Sequence, residues 1–201
     1  GPQTCAGFTG SWNFERQDAQ QYAEWGVDYL KYDWCSYGNV QIGKGRAALI
    51  WPYKLMQNAL EAAPRDIVYS LCQYGMGDVW EWGEFVGGNC WRTTGDINDR
   101  WASLDLITFG TQQGATQLGI SGYAKPGHFN DPDMLQVGNG SLTESENRAH
   151  FTLWSVLNAP LILGNDLRNI PEGLLKIITN QDVIALNQDS HCRQAEKVVD
   201  T

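Results

Sequence analysis

Along the chain, short continuous apolar runs alternate with longer stretches in which apolar residues recur at helical spacing. Residues 17–25 carry a helical pattern that Gly26 closes, and the run 27–32 follows as a buried strand. Pro52 suits the first position of a helix over 52–63, where Tyr53, Met56 and Leu60 form an apolar stripe and Pro64 stops the pattern. A strand is predicted at 67–72, a short helix at 80–86, a strand at 89–94, and a helix over 101–113 that Gly114 ends. After a Gly-rich passage come a short run at 128–129 and a helix from Thr143, where Thr143 and Glu146 spell a capping box ahead of Phe151, Trp154 and Leu157. A strand at 161–163, helices at 171–179 and 182–187, and the start of a strand at 197–199 complete the pattern.

Strand and helix in alternation, with crossovers of roughly 20 to 35 residues, predict a parallel sheet covered by helices. A doubly wound sheet and a (β/α)₈ barrel both fit that pattern. No GxGxxG or P-loop sequence follows the first strand, as a nucleotide-binding sheet would want. A barrel instead needs polar residues at the C-terminal ends of several strands, and those are present. The expected organisation is α/β, with residues 1–190 forming part of a (β/α)₈ barrel and 191–201 beginning a connection to a C-terminal β domain.

The 201 residues are 42 % hydrophobic and 18 % charged, enough apolar surface to exclude a disordered chain. A net charge of −9 argues against nucleic acid and acidic membranes as partners. No apolar run approaches the roughly 20 residues of a membrane helix. Nine Trp suit either a sugar-stacking surface or an aromatic core. The three His lack metal spacing and no two Cys form a CxxC pair, so neither a metal site nor a cofactor is expected. The chain opens on Gly1 and Pro2, without an initiating Met or a leader, and is expected to be part of something longer.

Three strand mouths carry carboxylates. LKYDWC sets Lys31, Asp33 and Cys35 at alternate positions on one face. WRTTGDINDRW does the same with Arg92, Thr94 and Asp96, leaving Asp99 as the natural cap for the helix that starts at Trp101. HFNDPDML brings Asp131 and Asp133 to either side of Pro132, where a turn is the simplest explanation and a metal pair a weaker one. Each Asp alone could cap a helix or pair with a cation, but three on one rim point to chemistry. Glycosidic hydrolysis needs two carboxyl groups, one as nucleophile or base and one as proton donor, and Asp33 and Asp96 can supply them. No GxSxG elbow supports a serine nucleophile.

These motifs in this order resemble glycoside hydrolase family 27, the α-galactosidases and α-N-acetylgalactosaminidases. The similarity runs through QTCAGF, GVDYLKYDWC, SLCQY, WRTTGDI, HFNDPDML with VGNGSLTESENRAHF, and APLILGNDLR, nearly the whole chain. It implies strands four to eight of the family's barrel, with the first three and their 4-hydroxyl-binding residues absent.

The resemblance also implies roles. Asp33 matches the nucleophile of a retaining double displacement and Asp96 its acid/base. Lys31 matches a residue that reaches the sugar's O3 and O4, Arg92 one near O2, and Met134 an apolar wall. Cys5 and Cys35 match a disulfide at the site's edge, implying a secreted or periplasmic enzyme, or a lysosomal one in a eukaryote. Cys72 and Cys90 match a second bridge of animal members, with altered spacing, and Cys192 has no counterpart. Gln73 replaces the Glu usual opposite the sugar's 2-position, and Tyr74 replaces a Trp and keeps an aromatic; both are expected to bind the substrate, as are the flanking Cys5 and Cys35. The implied substrate is a terminal α-D-galactoside, with β-L-arabinopyranosidase, α-N-acetylgalactosaminidase and a non-catalytic sugar-binding barrel as alternatives.

Overall fold

A computed structural model describes residues 1–196 and residue 198. Residues 197 and 199 of the predicted strand start at 197–199, and residues 200 and 201 at the end of the connection from 191, therefore lie outside the described residues. The chain divides into two compact units, Gly1–Arg92 and Thr93–Thr201.

The first unit contains α1 (Glu15–Glu24), β1 (Tyr29–Asp33), α2 (Gly45–Glu61), β2 (Val68–Cys72), α3 (Val79–Trp82) and β3 (Cys90–Arg92). β1 pairs with β2 and β2 with β3, both parallel, in a register that sets Lys31 opposite Ser70, Asp33 opposite Cys72 and Ser70 opposite Cys90. Gly26 stops α1 as predicted, since at φ +74° its N–H can turn back to Ala23 O. The second helix differs from expectation. It begins at Gly45, so Pro52 lies within it rather than at its start. The buried stripe Ala48, Pro52, Met56 and Ala59 explains the extension: the apolar face that packs inward begins a full turn before the proline. Tyr53 anchors the aromatic core of this unit, edge-on to Tyr32 at 6.0 Å and tilted against Trp82 at 5.8 Å.

The second unit contains α4 (Trp101–Thr108), β4 (Phe129–Asp131), α5 (Glu144–Val156), α6 (Glu172–Ile178) and α7 (Gln181–Asn187). Its core gathers Leu104, Ile107, Leu135, Phe151, Trp154 and Ile177. The capping box forms as read: Thr143 Oγ1 accepts from Glu146 N, and the Glu146 carboxylate accepts from Thr143 N at 2.7 Å. Two expectations fail here. α4 stops at Thr108, and Gly114 belongs instead to a two-residue hairpin, Gln112 to Ala115, whose central residues both have positive φ. The predicted strand at 161–163 reduces to a single parallel bridge between Leu135 and Leu163. Among the described residues no helix is long and apolar enough to cross a membrane.

Candidate active site

In the first unit the polar residues converge at the C-terminal end of β1. Asp33 is the last residue of that strand, and its Oδ1 accepts two hydrogen bonds, from the Tyr74 hydroxyl at 2.7 Å and the Cys35 N–H at 3.3 Å. Cys35 takes a positive φ just past the strand and forms a disulfide with Cys5, closing a separation of 30 residues. Ser36 Oγ accepts from Gln3 N at 2.8 Å and donates to Gln3 O at 2.7 Å, so the bridge and this reciprocal pair tie the first residues to the Asp33 loop. The expected Cys5–Cys35 pairing is thus present. Ligand atoms of Cys5, Asp33 and Cys35 lie within 4.8 Å of one another, but the disulfide uses both sulfurs and leaves one carboxylate, which does not make a metal centre.

Tyr74 sits in the turn after β2, where Tyr74, Gly75, Gly77 and Asp78 all have positive φ. Four contacts hold this turn. The Gln73 amide donates to Met76 O at 2.7 Å, Trp82 Nε1 donates to Gly77 O at 2.8 Å, and Arg46 pairs with both Asp78 and Glu81. Gln73, expected to face the sugar, is fully buried, and its hydrogen bond to Met76 O organises the Tyr74 turn. Lys31, one alternate position before Asp33, is exposed.

Arg92, the last residue of β3, is only 1 % exposed; its guanidinium lies 5.8 Å from the Tyr74 ring centroid, and Nη1 reaches Cys72 Sγ at 3.6 Å. Burial pushes the Cys72 thiol far above its ordinary range; the nearby Arg92 charge opposes that shift and the Asp33 charge adds to it.

The expected second bridge does not form. Cys72 and Cys90 are both thiols, and Cys90 Sγ lies 3.2 Å from the Tyr29 hydroxyl. The register gives the reason. Cys90 pairs with Ser70, so Cys72 stands diagonally two residues further on, about 8 Å away across adjacent strands and beyond the roughly 7 Å Cα limit of a disulfide.

In the second unit, Asp96 is exposed on a loop whose backbone is held on both sides. The Gly95 N–H donates to Gln112 Oε1 at 3.2 Å and the Ile97 N–H to Asp133 Oδ2 at 2.9 Å. Asp133 also accepts from Met134 N at 2.7 Å through Oδ1, and its own N–H donates to Asp131 Oδ1 at 2.9 Å. Asp131 and Asp133 therefore build a turn, with Asp133 at φ +94° and Trp154 Nε1 donating to its carbonyl at 2.7 Å. Half-buried Met134 follows directly. Asp99 does not cap α4: the cap position is Arg100, and the Asp99 carboxylate accepts from Ser141 N at 2.7 Å.

Sequence reasoning passed over Gln112, because a Gly after a helical pattern reads equally as a helix stop and as a hairpin tip. Tyr74, expected among the substrate-binding residues, has its hydroxyl on Asp33, since a phenol that can reach a neighbouring strand end is a donor as well as an aromatic face.

The profile of the alpha galactosidase A family, Melibiase_2, matches residues 1–189. The chain belongs to this family. An alpha-galactosidase A of Cellvibrio japonicus is 42 % identical over 209 residues, covering all of this chain and 48 % of the relative. Among solved structures, alpha-galactosidase I of Mortierella vinacea is 37 % identical with a TM-score of 0.87, over all of this chain and 53 % of its own. The Saccharomyces cerevisiae α-galactosidase solved with raffinose is 33 % identical with a TM-score of 0.80, over 98 % of this chain and 46 % of its own. The chain spans about half the length of the melibiase relatives it matches. Its alternation of parallel strands and helices is part of a (β/α)₈ barrel.

Proposed function

We propose that the complete gene product is a retaining glycoside hydrolase that removes terminal α-linked D-galactose. Asp33 attacks the anomeric carbon, the C1–Oδ2 bond forms as the glycosidic C1–O bond breaks, and Asp96 gives its proton to the departing oxygen. Water then attacks C1 and passes a proton to Asp96, and the ester bond breaks with its electron pair returning to Asp33. Lys31, exposed on the Asp33 face of β1, donates to sugar hydroxyls; Met134 offers an apolar wall; Arg92, packed beneath Tyr74, acts on the 2-position through the charge it sets there.

The observation that carries this reading is the place of Asp33 at the C-terminal end of a parallel strand, its carboxylate already oriented by two donors, in a chain of the melibiase family. The relative solved with raffinose, an α-galactoside, supports the substrate class. The Cys5–Cys35 bridge supports an oxidising compartment, secreted, periplasmic or lysosomal.

The test is the configuration of the first-formed sugar when the complete gene product cleaves p-nitrophenyl α-D-galactoside, followed by NMR. The α anomer is expected, and an initial β anomer would overturn the double displacement. Faster turnover of a β-L-arabinopyranoside would overturn the sugar assignment and leave the mechanism standing.

A further inference from the structure

Taking Asp33 as the nucleophile, the reading on which this inference rests, we infer that Tyr74 is a positioning residue that assigns different work to the two carboxylate oxygens and speeds release of the covalent sugar. Two hydrogen bonds to the Asp33 carboxylate end on Oδ1, from the Tyr74 hydroxyl at 2.7 Å and from Cys35 N at 3.3 Å, and the buried Cys72 thiol is a further neighbour of the carboxylate. With two donors engaged on Oδ1, attack is assigned to Oδ2.

The turn is built to deliver that hydroxyl. A tyrosine at φ +65° costs about 1–2 kcal/mol in backbone strain, and it is kept there by the Gln73, Trp82 and Arg46 contacts around it. Arg92 lies against the ring face at 5.8 Å, where a cation draws density from the phenol and makes its O–H a stronger donor.

The charge flow of the reaction says which step gains. As Oδ2 bonds to C1, negative charge leaves the carboxylate and the Tyr74 hydrogen bond weakens. In the second step water adds to C1, its proton passes to Asp96, and the C1–Oδ2 electron pair returns to Asp33. Carboxylate resonance then spreads that charge onto Oδ1, where the Tyr74 O–H meets it. A donor aimed at charge that develops in the transition state accelerates the step in which it develops. Tyr74 thus favours departure of Asp33 from the sugar, while its hold on Oδ1 keeps Oδ2 aimed for attack.

The experiment traps the complete gene product with 5-fluoro-α-D-galactosyl fluoride, locates the label by peptide mass spectrometry and follows reactivation after excess reagent is removed. In the wild type the label is expected on Asp33. In Tyr74→Phe, reactivation should slow by roughly 10- to 100-fold, the range for losing a hydrogen bond to a charged group, and kcat and KM for an activated aryl galactoside should fall together as the intermediate accumulates. Replacing Tyr74 with 3-fluorotyrosine, a stronger donor on the same ring, should speed reactivation, and it tests the inference even if the Phe variant folds poorly. Label on Asp33 with wild-type reactivation in both variants would overturn the inference and leave the nucleophile assignment intact. Label on any other residue would overturn both.

Discussion

The Ile97 N–H donates to Oδ2 of Asp133 at 2.9 Å, one residue past Asp96, while the N–H one residue before Asp96 is held by Gln112. A general acid contributes only when its proton sits within hydrogen-bond reach of the leaving oxygen. These two acceptors hold the backbone on either side of Asp96, which limits where the proposed acid can sit.

Asp133→Asn should therefore damage the loop with almost no change in shape. An amide offers one acceptor where the carboxylate meets two N–H groups, from Ile97 and Met134, and turns a donor toward one of them. Asp133 is buried, so the expected cost is about 1–3 kcal/mol of unfolding free energy in urea titration. Turnover of galactosides with poor leaving groups should fall with it. Unchanged stability would show that the turn does not depend on the carboxylate.

Asp96→Ala should separate substrates by leaving group. Activated aryl galactosides depart without a proton, whereas oligosaccharides need one, so kcat/KM for the latter should fall about 10²- to 10⁴-fold more. Equal losses on both would make Asp96 structural.

Much of this was legible in the sequence, and the failures have physical causes. The capping box at Thr143 and Glu146 and the Gly26 stop are local, set by residues within one turn, and both stand as read. The strand-end position of Asp33 followed from an apolar run ending in charge. What was not legible depends on partners distant in the chain. The spacing of Cys72 and Cys90 says nothing about register, and register is what separates their sulfurs. Asp99 has the chemistry of a helix cap, but the Ser141 N–H, 42 residues away, takes its carboxylate. Pro52 suits a helix start on local grounds, yet the buried face continues upstream to Ala48.

The thiol count follows from that register. Under denaturing, non-reducing conditions an alkylating reagent should modify Cys72, Cys90 and Cys192 and leave Cys5 and Cys35 untouched until reduction. Intact-mass spectrometry reads the difference. Two protected pairs would contradict the β2–β3 register.

His150 should make folding acid-sensitive. It is fully buried, edge-on to Trp154 at 4.2 Å, with Nε2 accepting from Gln136 N at 2.9 Å, and burial lowers its pKa to about 4. The unfolded chain takes up this proton first on acidification. The stabilisation is thus complete above about pH 6.5 and is lost as pH falls toward about 4, worth up to about 3 kcal/mol. Urea unfolding between pH 7.5 and 4.5 should show that slope, and His150→Gln should flatten it whatever its effect at neutral pH. An equal slope in the variant would locate the acid sensitivity elsewhere.

The division of labour between the two carboxylates is tested most directly by azide rescue with product stereochemistry. In the complete gene product, Asp33→Gly with azide should convert an activated α-galactoside to β-galactosyl azide, because azide replaces the missing nucleophile in a single inversion. Asp96→Gly with azide should give α-galactosyl azide, because azide intercepts the sugar already bound to Asp33. The same anomer from both variants, or the two exchanged, would contradict the account.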